Sequence, residues 1–187
     1  MSRKKSYIEE EVVTKAMKLF WRNGFKNTSM QMLEEEMGIN KFSIYSSFGS
    51  KQGVFLESLK SYEKNTEDIF TKLINATNGV SAIKEFFYDS IKVCNREGNP
   101  KGCLITNTYN EFGNNENNLV HQEMQDFMNN LKELFIQKLR MDLTKSTETV
   151  LKEADFLILA KHGLAAASRI NNKKEIENYI EMTFKNI

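Results

Sequence analysis

The sequence of 187 residues has few of the residues that interrupt helices or cross-link chains. It contains one proline, nine glycines and two cysteines. A strand-rich fold needs more turn residues than this, and two cysteines are too few for a disulfide scaffold or a four-ligand zinc site. The hydrophobic fraction of 40% excludes a disordered tail. Apolar residues spaced three and four apart predict an all-helical (all-α) fold instead.

Long apolar runs are also missing. No stretch approaches the roughly 18 consecutive apolar residues of a membrane-spanning helix. The basic residues Arg3 to Lys5 are followed by three glutamates and not by the apolar run of a signal peptide. His121 and His162 have no partner at the spacing of a metal site, and no Gly-rich phosphate loop or nucleophile and base pair is present. We therefore expect a cytoplasmic protein with no membrane partner, metal, cofactor or enzymatic activity.

The charges balance almost completely over the whole chain but not within its parts. There are 26 Lys and Arg against 25 Asp and Glu, which argues against a general nucleic-acid binder. Residues 1–60, however, contain ten basic and seven acidic residues, a net charge of +3, and the remainder has a net charge of −2. Lys41 and Lys51 lie in a stretch, 37–56, that has no acidic residue. The first third therefore carries a small basic face.

Helical spacing and capping signals predict about nine helices. The capping boxes Ser6–Glu9 and Thr28–Gln31 begin the first two helices, which end at Gly24 and Gly38. Asn40 is predicted to cap a third helix, to about residue 47, and Ser50 a fourth that continues to about residue 75. The other predicted helices are 81–96, 103–112, 118–142, 147–169 and 173–185.

A three-residue turn, Gly38-Ile39-Asn40, joins the second and third predicted helices. This spacing is typical of a helix-turn-helix, whose second helix enters the DNA major groove. It is also compatible with a simple helical hairpin. In that alternative the chain is a helical ligand carrier or enzyme, and the hairpin is only scaffold.

A longer pattern contains this turn. It runs from Val13 through Gly24-Phe25 and Thr28-Ser29-Met30 to the segment 38–51, and it resembles the DNA-binding domain of the TetR family over residues 7–66. The resemblance implies a helix-turn-helix domain in residues 1–50, with the match extending to about 66, and a C-terminal ligand-binding and dimerisation domain in residues 51–187. It also implies a homodimeric transcriptional regulator, a repressor that binds double-stranded palindromic operator DNA and is released by a small-molecule inducer.

The resemblance further implies which residues contact DNA. Thr28 and Lys51, near helix starts, are expected to meet phosphates, and Tyr45 is expected to reach a phosphate with its hydroxyl. Phe42 stands where the family usually has a small residue, so its ring either contacts a thymine methyl or packs inward. The expected DNA-binding residues are Thr28, Ser29, Lys41, Phe42, Ser43, Tyr45, Ser46 and Lys51.

Apolar stripes in the C-terminal part are typical of a core, although their Met and Phe residues also suit an adaptable ligand cavity. The expected ligand-binding residues are Phe86, Cys103, Asn107, Tyr109, Asn110, Met124, Phe127 and Met128. The last two long predicted helices are expected to form the dimer interface through Leu157, Ala160, Leu164, Ile176, Tyr179 and Ile180.

Cys103 has two interpretations. It is either a small buried apolar residue or a sensing thiol, because a cysteine at a helix N-terminus next to Lys101 has two reasons for a lowered pKa.

Overall fold

The computed structural model describes residues 7–95, 102–113 and 119–187, and this described part is entirely helical. The predicted fold class is therefore confirmed. None of the described helices is long and apolar enough to cross a membrane. In the described ranges there are ten helices: α1 (Glu9–Asn23), α2 (Met30–Met37), α3 (Lys41–Phe48), α4 (Lys51–Lys64), α5 (Glu67–Asn75), α6 (Val80–Cys94), α7 (Leu104–Phe112), α8 (Leu119–Leu139), α9 (Thr147–Ala167) and α10 (Lys173–Thr183).

The predicted fourth helix is two helices, with a break at Asn65 and Thr66. The Thr66 hydroxyl donates to the carbonyls of Tyr62 at 3.2 Å and Glu63 at 2.9 Å. A hydroxyl that bonds back to the preceding turn competes with the helical pattern. Because Thr66 is buried, this contact is shielded from water. Apolar spacing continues through the break, so periodicity alone predicted a single helix.

Helix caps decide where the N-terminal helices begin. Asn40 and Ser50 cap α3 and α4 as predicted, since their side-chain oxygens accept the N–H groups of Ser43 and Gly53. The capping residue of α2 is Ser29, not Thr28. At α1 the N-cap is Ile8, without a side-chain cap, and the predicted cap Ser6 lies outside the described residues.

Two apolar cores hold the helices together. The first is centred on Phe20 and Phe55, where α1 packs on α4, and it extends to α7 and α8. The second lies between α6, α8, α9 and α10, around Phe87 and Phe135. Phe112 at the end of α7 stacks on Phe55 with ring centroids 6.0 Å apart. The N-terminal helices are thus packed directly on the C-terminal bundle through α7.

Candidate nucleic-acid interface and internal cavity

The third helix presents an exposed aromatic face. Phe42 is 82% exposed and Tyr45 50% exposed, whereas Ile44 is fully buried and anchors α3 on the first core. The two rings lie one helical turn apart and share a face. Phe42 therefore faces solvent, and its predicted alternative of inward packing is wrong.

The polar groups of α3 flank this face. The Lys41 N–H donates to Glu34 Oε1 at 3.1 Å, and its ammonium lies 4.0 Å from Glu34 Oε2 with the side chain half exposed. Ser46 is exposed, and Ser43 is half-buried, with its N–H donating to Asn40 Oδ1 at 2.8 Å. Side-chain acceptors on α2 and in the turn thus fix the start of α3 and leave its outer face open.

Two residues expected to meet phosphates are engaged inside the protein. Thr28 is 1% exposed, and its hydroxyl donates to the Gly24 carbonyl at 2.7 Å. The Thr28 side chain is therefore held inside the protein, and the expected phosphate contact at this helix start rests on backbone N–H groups, as a prediction. Ser29, next to it, is exposed at the start of α2. The Lys51 ammonium lies 4.4 Å from the Phe25 ring centroid, and burial lowers its pKa. Lys51 remains half-buried in this contact, and its phosphate contact stays a prediction.

A small cavity of about 30 Å³ lies between α4, α5, α6, α7, α8 and α9. This is room for roughly one water molecule. Four expected ligand-binding residues line it, together with residues that the sequence did not single out. Those expected are Phe86, Cys103, Phe127 and Met128; the additional polar ones are Tyr62, Thr66, Ser90, Cys94, Thr106 and Lys161.

The other four expected ligand-binding residues lie elsewhere. Met124 is fully buried in the first core and does not line the cavity. Asn107 and Asn110 line a surface groove beside α1, and Tyr109 packs on His162 with ring centroids 5.3 Å apart. These four residues therefore do not line the small cavity, and their role in ligand binding stays a prediction.

Cys103 is the N-cap of α7 and faces the polar end of the cavity. The Tyr62 hydroxyl donates to its sulfur at 3.5 Å. Burial raises the pKa of the Cys103 thiol, but the Lys161 ammonium, with hydrogen bonds from Tyr62 and Thr106, outweighs burial and lowers the pKa overall. Burial raises the pKa of the neighbouring Cys94 thiol to about 11. The expected cation Lys101 lies outside the described residues; within them, Lys161 supplies the charge.

Comparison with known proteins agrees with this arrangement. Residues 12–58 match the family model described as bacterial regulatory proteins, tetR family. The HTH-type transcriptional regulator YezE of Bacillus subtilis is 28% identical over 58% of this chain and 56% of its own length. The HTH-type transcriptional repressor ComR of Escherichia coli is 28% identical over 56% of this chain and 51% of its own. The N-terminal helices α1 to α4 thus match the DNA-binding segment of the tetR family. The chain spans about half the length of these two relatives, and the family is one of regulatory proteins and not of enzymes.

Solved structures show the same fold along the whole chain. The TetR family regulator CifR, complexed with a 26-bp double-strand operator DNA, has a TM-score of 0.87 at 20% identity and covers 99% of both chains. Reduced NemR of Escherichia coli has a TM-score of 0.78 at 19% identity and covers 95% of both chains.

Helix α7 is attached to the N-terminal helices at both of its ends. Glu111 accepts the N–H groups of Phe25 at 2.8 Å and Lys26 at 2.6 Å, just before α2. Before the start of α7, the Gly102 carbonyl accepts the Trp21 indole N–H at 3.0 Å. The same helix begins at the cavity with Cys103. A displacement of α7 would therefore move Phe25 and Lys26, which lie in the segment before α2.

Five of the six expected dimer residues are buried in the protein's own second core, where Leu157 and Ile180 are fully buried. The sixth, Tyr179, is 37% exposed, with its hydroxyl on the Ala160 carbonyl at 3.0 Å. Buried residues cannot form an interface, so the prediction is wrong for Leu157, Ala160, Leu164, Ile176 and Ile180. A different stripe is exposed on α9 and α10: Phe156, Leu159, Gly163, Ala166, Tyr179 and Met182, with Ile170 just beyond α9.

Proposed function

We propose that this chain is a transcriptional repressor that binds operator DNA as a homodimer through α3 and is released by a small-molecule inducer. The observation that carries the proposal is the exposed face of α3, with Phe42, Tyr45 and Lys41, in a domain that matches the TetR model. Large aromatic side chains on a solvent-exposed helix face are unfavourable unless they meet a partner. Thymine methyls and phosphates suit the ring of Phe42 and the hydroxyl of Tyr45.

The dimer is proposed to form through the exposed stripe of α9 and α10. Leu159 is 71% exposed and Phe156 50% exposed, and Gly163 and Ala166 between them allow close helix approach. A two-fold axis through this face would present two copies of α3 to half-sites about 34 Å apart, one turn of DNA. Two relatives, ComR and the biofilm operon regulator IcaR of Staphylococcus aureus, are described as a repressor and a negative regulator. This supports repression as the function of the chain.

Release is proposed to follow from the attachment of α7. An inducer that binds a state with an enlarged cavity favours a displaced α7, and Glu111 and Phe112 carry that displacement to Phe25. The inducer must bind the displaced state more tightly than the state described here, and by the same factor the operator weakens inducer binding. The small volume of the present cavity fits the inducer-free state.

Binding of the protein to DNA from upstream of its own coding sequence, followed by fluorescence anisotropy over a salt series, tests the proposal. We expect Lys41→Ala to weaken binding and to reduce the slope of log affinity against log salt by about two, because the homodimer loses one phosphate contact at each half-site. We expect Phe42→Ala to weaken specific binding about tenfold with an unchanged slope, because an apolar base contact releases no counterion. Lys152→Ala, at an exposed lysine of α9, is the control and should match the wild type.

Failure of the wild-type protein to prefer this DNA over a scrambled duplex would refute the proposal and favour a ligand carrier. An unchanged slope in Lys41→Ala would show that Lys41 does not contact a phosphate. Whether α3 binds DNA would then be decided by the Phe42→Ala variant.

A further inference from the structure

The cavity contains a buried cation that has no carboxylate partner among the described residues. Lys161 is 6% exposed and lines the cavity from α9. Among the described residues it forms no ion pair and donates no hydrogen bond, whereas Lys152 on the same helix pairs with Glu148. A buried ammonium is costly unless an anion accompanies it. The cavity therefore has one position at which a negative charge would be strongly favoured.

The remainder of the cavity wall is built for an apolar body. Phe70 packs edge-on against Phe86 with ring centroids 5.1 Å apart, and against Phe127 at 5.5 Å. Aromatic rings prefer such edge-to-face neighbours, so these three rings suit a further ring once the cavity is enlarged. Hydroxyls of Tyr62 and Thr106 line the end that Lys161 occupies. The cavity thus has a cationic, hydroxyl-lined end and an aromatic end.

We propose that the inducer is an aromatic monocarboxylate whose carboxylate pairs with Lys161 and whose ring inserts beside Phe70, Phe86 and Phe127. This assignment rests on the proposed function, because it names the ligand class for the inducer site. The cavity of about 30 Å³ must enlarge to hold such a molecule. Phe70 and Phe127 also line an outer groove of about 500 Å³, so outward rotation of these rings opens the cavity toward solvent.

The groove has more carboxylates than ammonium groups. Glu63, Glu67, Glu123 and Asp126 line it with Lys60 and Lys64. Repulsion at this rim slows the arrival of an anion, but the affinity is set by the contacts at the bound position. The test is therefore made at equilibrium.

Isothermal titration calorimetry of the DNA-free protein gives its affinities for hydrocinnamate and for the neutral analogue hydrocinnamamide. The difference between the two affinities measures how much the negative charge of the probe contributes to binding. Neither probe reacts with thiols, so binding reports the cavity and not modification of Cys103. We expect the wild type to prefer the carboxylate about tenfold or more, the equivalent of about 1.4 kcal/mol. Lys161→Met should abolish this preference while binding the amide as well as the wild type does. Lys152→Met, on the solvent side of α9, should keep the preference.

Equal binding of the two probes by the wild type, or no binding of either, would overturn the assignment, as would a preference for the carboxylate that survives in Lys161→Met. Operator binding by Lys161→Met confirms that the variant is folded. A preference for the carboxylate that appears only in a Cys103→Ser variant would show that a Cys103 thiolate already neutralises Lys161, and the assignment would be wrong. Hydrocinnamate that binds at Lys161 without releasing DNA would uphold the ligand class and refute the proposed inducer role.

Discussion

The contact between Glu111 and the loop before α2 depends on one carboxylate. Its two oxygens accept two consecutive N–H groups, those of Phe25 and Lys26. The preceding Gly24 has φ +78°, and a Cβ there would lie 3.1 Å from Glu111 Oε2. Both the positive φ and the close carboxylate therefore favour glycine at this position. A single residue of α7 thus determines the conformation of the segment that leads into the helix-turn-helix.

Glu111→Gln should lower stability by about 1–2 kcal/mol, since the amide retains one oxygen acceptor and turns an NH₂ group toward the second N–H. For a chain of this size, that corresponds to a fall of roughly 2–8 °C in the thermal midpoint, measured by scanning calorimetry. Glu148→Gln, at an exposed ion pair on α9, is the control and should remain within about 1–2 °C of the wild type. Equal midpoints for the two variants would show that the Glu111 contacts contribute no stability.

At the level of elements, a helix end in the C-terminal bundle is capped by a residue of another helix. The ammonium of Lys138 on α8 donates to the carbonyls of Ile74 at 2.9 Å and Ala76 at 2.6 Å, where α5 ends. The last carbonyls of a helix have no partner within it, and their negative partial charge attracts a cation. Lys138 is 6% exposed, so water cannot easily replace it.

We expect Lys138→Met to destabilise the protein by about 1–3 kcal/mol, because it removes the donor to two partly buried hydrogen bonds while keeping the aliphatic volume. Urea unfolding followed by circular dichroism would measure the change in the free energy of unfolding. Lys132→Met on the same helix, where the lysine pairs with Asp155 at the surface, should cost less than about 1 kcal/mol. A Lys138→Met midpoint as high as that of Lys132→Met would contradict the capping role.

Most helices were predictable because their signals are local. Asn40 and Ser50 stand just before α3 and α4, and a side chain that caps a helix needs only its own next turn. The break at Thr66 was missed because it depends on whether the Thr66 hydroxyl bonds to solvent or to the carbonyls of the preceding turn. The sequence does not show which of the two occurs. Ser29 and not Thr28 caps α2 for a similar reason. Both side chains can cap a helix, but the Thr28 hydroxyl is buried at the Gly24 carbonyl, which leaves Ser29 to cap.

The exposed face of α3 could be predicted because the TetR-like pattern over residues 38–51 indicates which side of that helix faces outward. The cavity was only half predictable, since its lining comes from six helices whose relative rotation no local signal fixes. Lys161 was the available signal: a lysine among Leu157, Ala160 and Leu164 on an apolar stripe. Tyr62 and Cys103, which line the cavity with it, are distant in sequence and come near it only after the bundle has packed.

At the scale of the whole molecule, α9 carries two apolar stripes, and the sequence does not show which of them is buried. Leu157, Ala160 and Leu164 recur at helical spacing, and so do Phe156, Leu159 and Gly163. The first stripe is buried in the protein's own core, and the second is exposed. Which stripe faces inward depends on α6, α8 and α10, so only the structure shows that the second stripe remains exposed and open to the proposed dimer contact.

Leu159→Glu tests that assignment, because Leu159 is 71% exposed at the middle of the second stripe. In a two-fold dimer each substitution occurs twice, and two carboxylates would be desolvated in one apolar interface. We expect light scattering after size exclusion to give twice the chain mass for the wild type and the mass of one chain for Leu159→Glu at micromolar concentration. Operator affinity should fall by about 100-fold or more, since a monomer engages one half-site. Leu143→Glu, 95% exposed between α8 and α9, is the control and should remain dimeric; a dimeric Leu159→Glu with unchanged operator affinity would place the interface on another face.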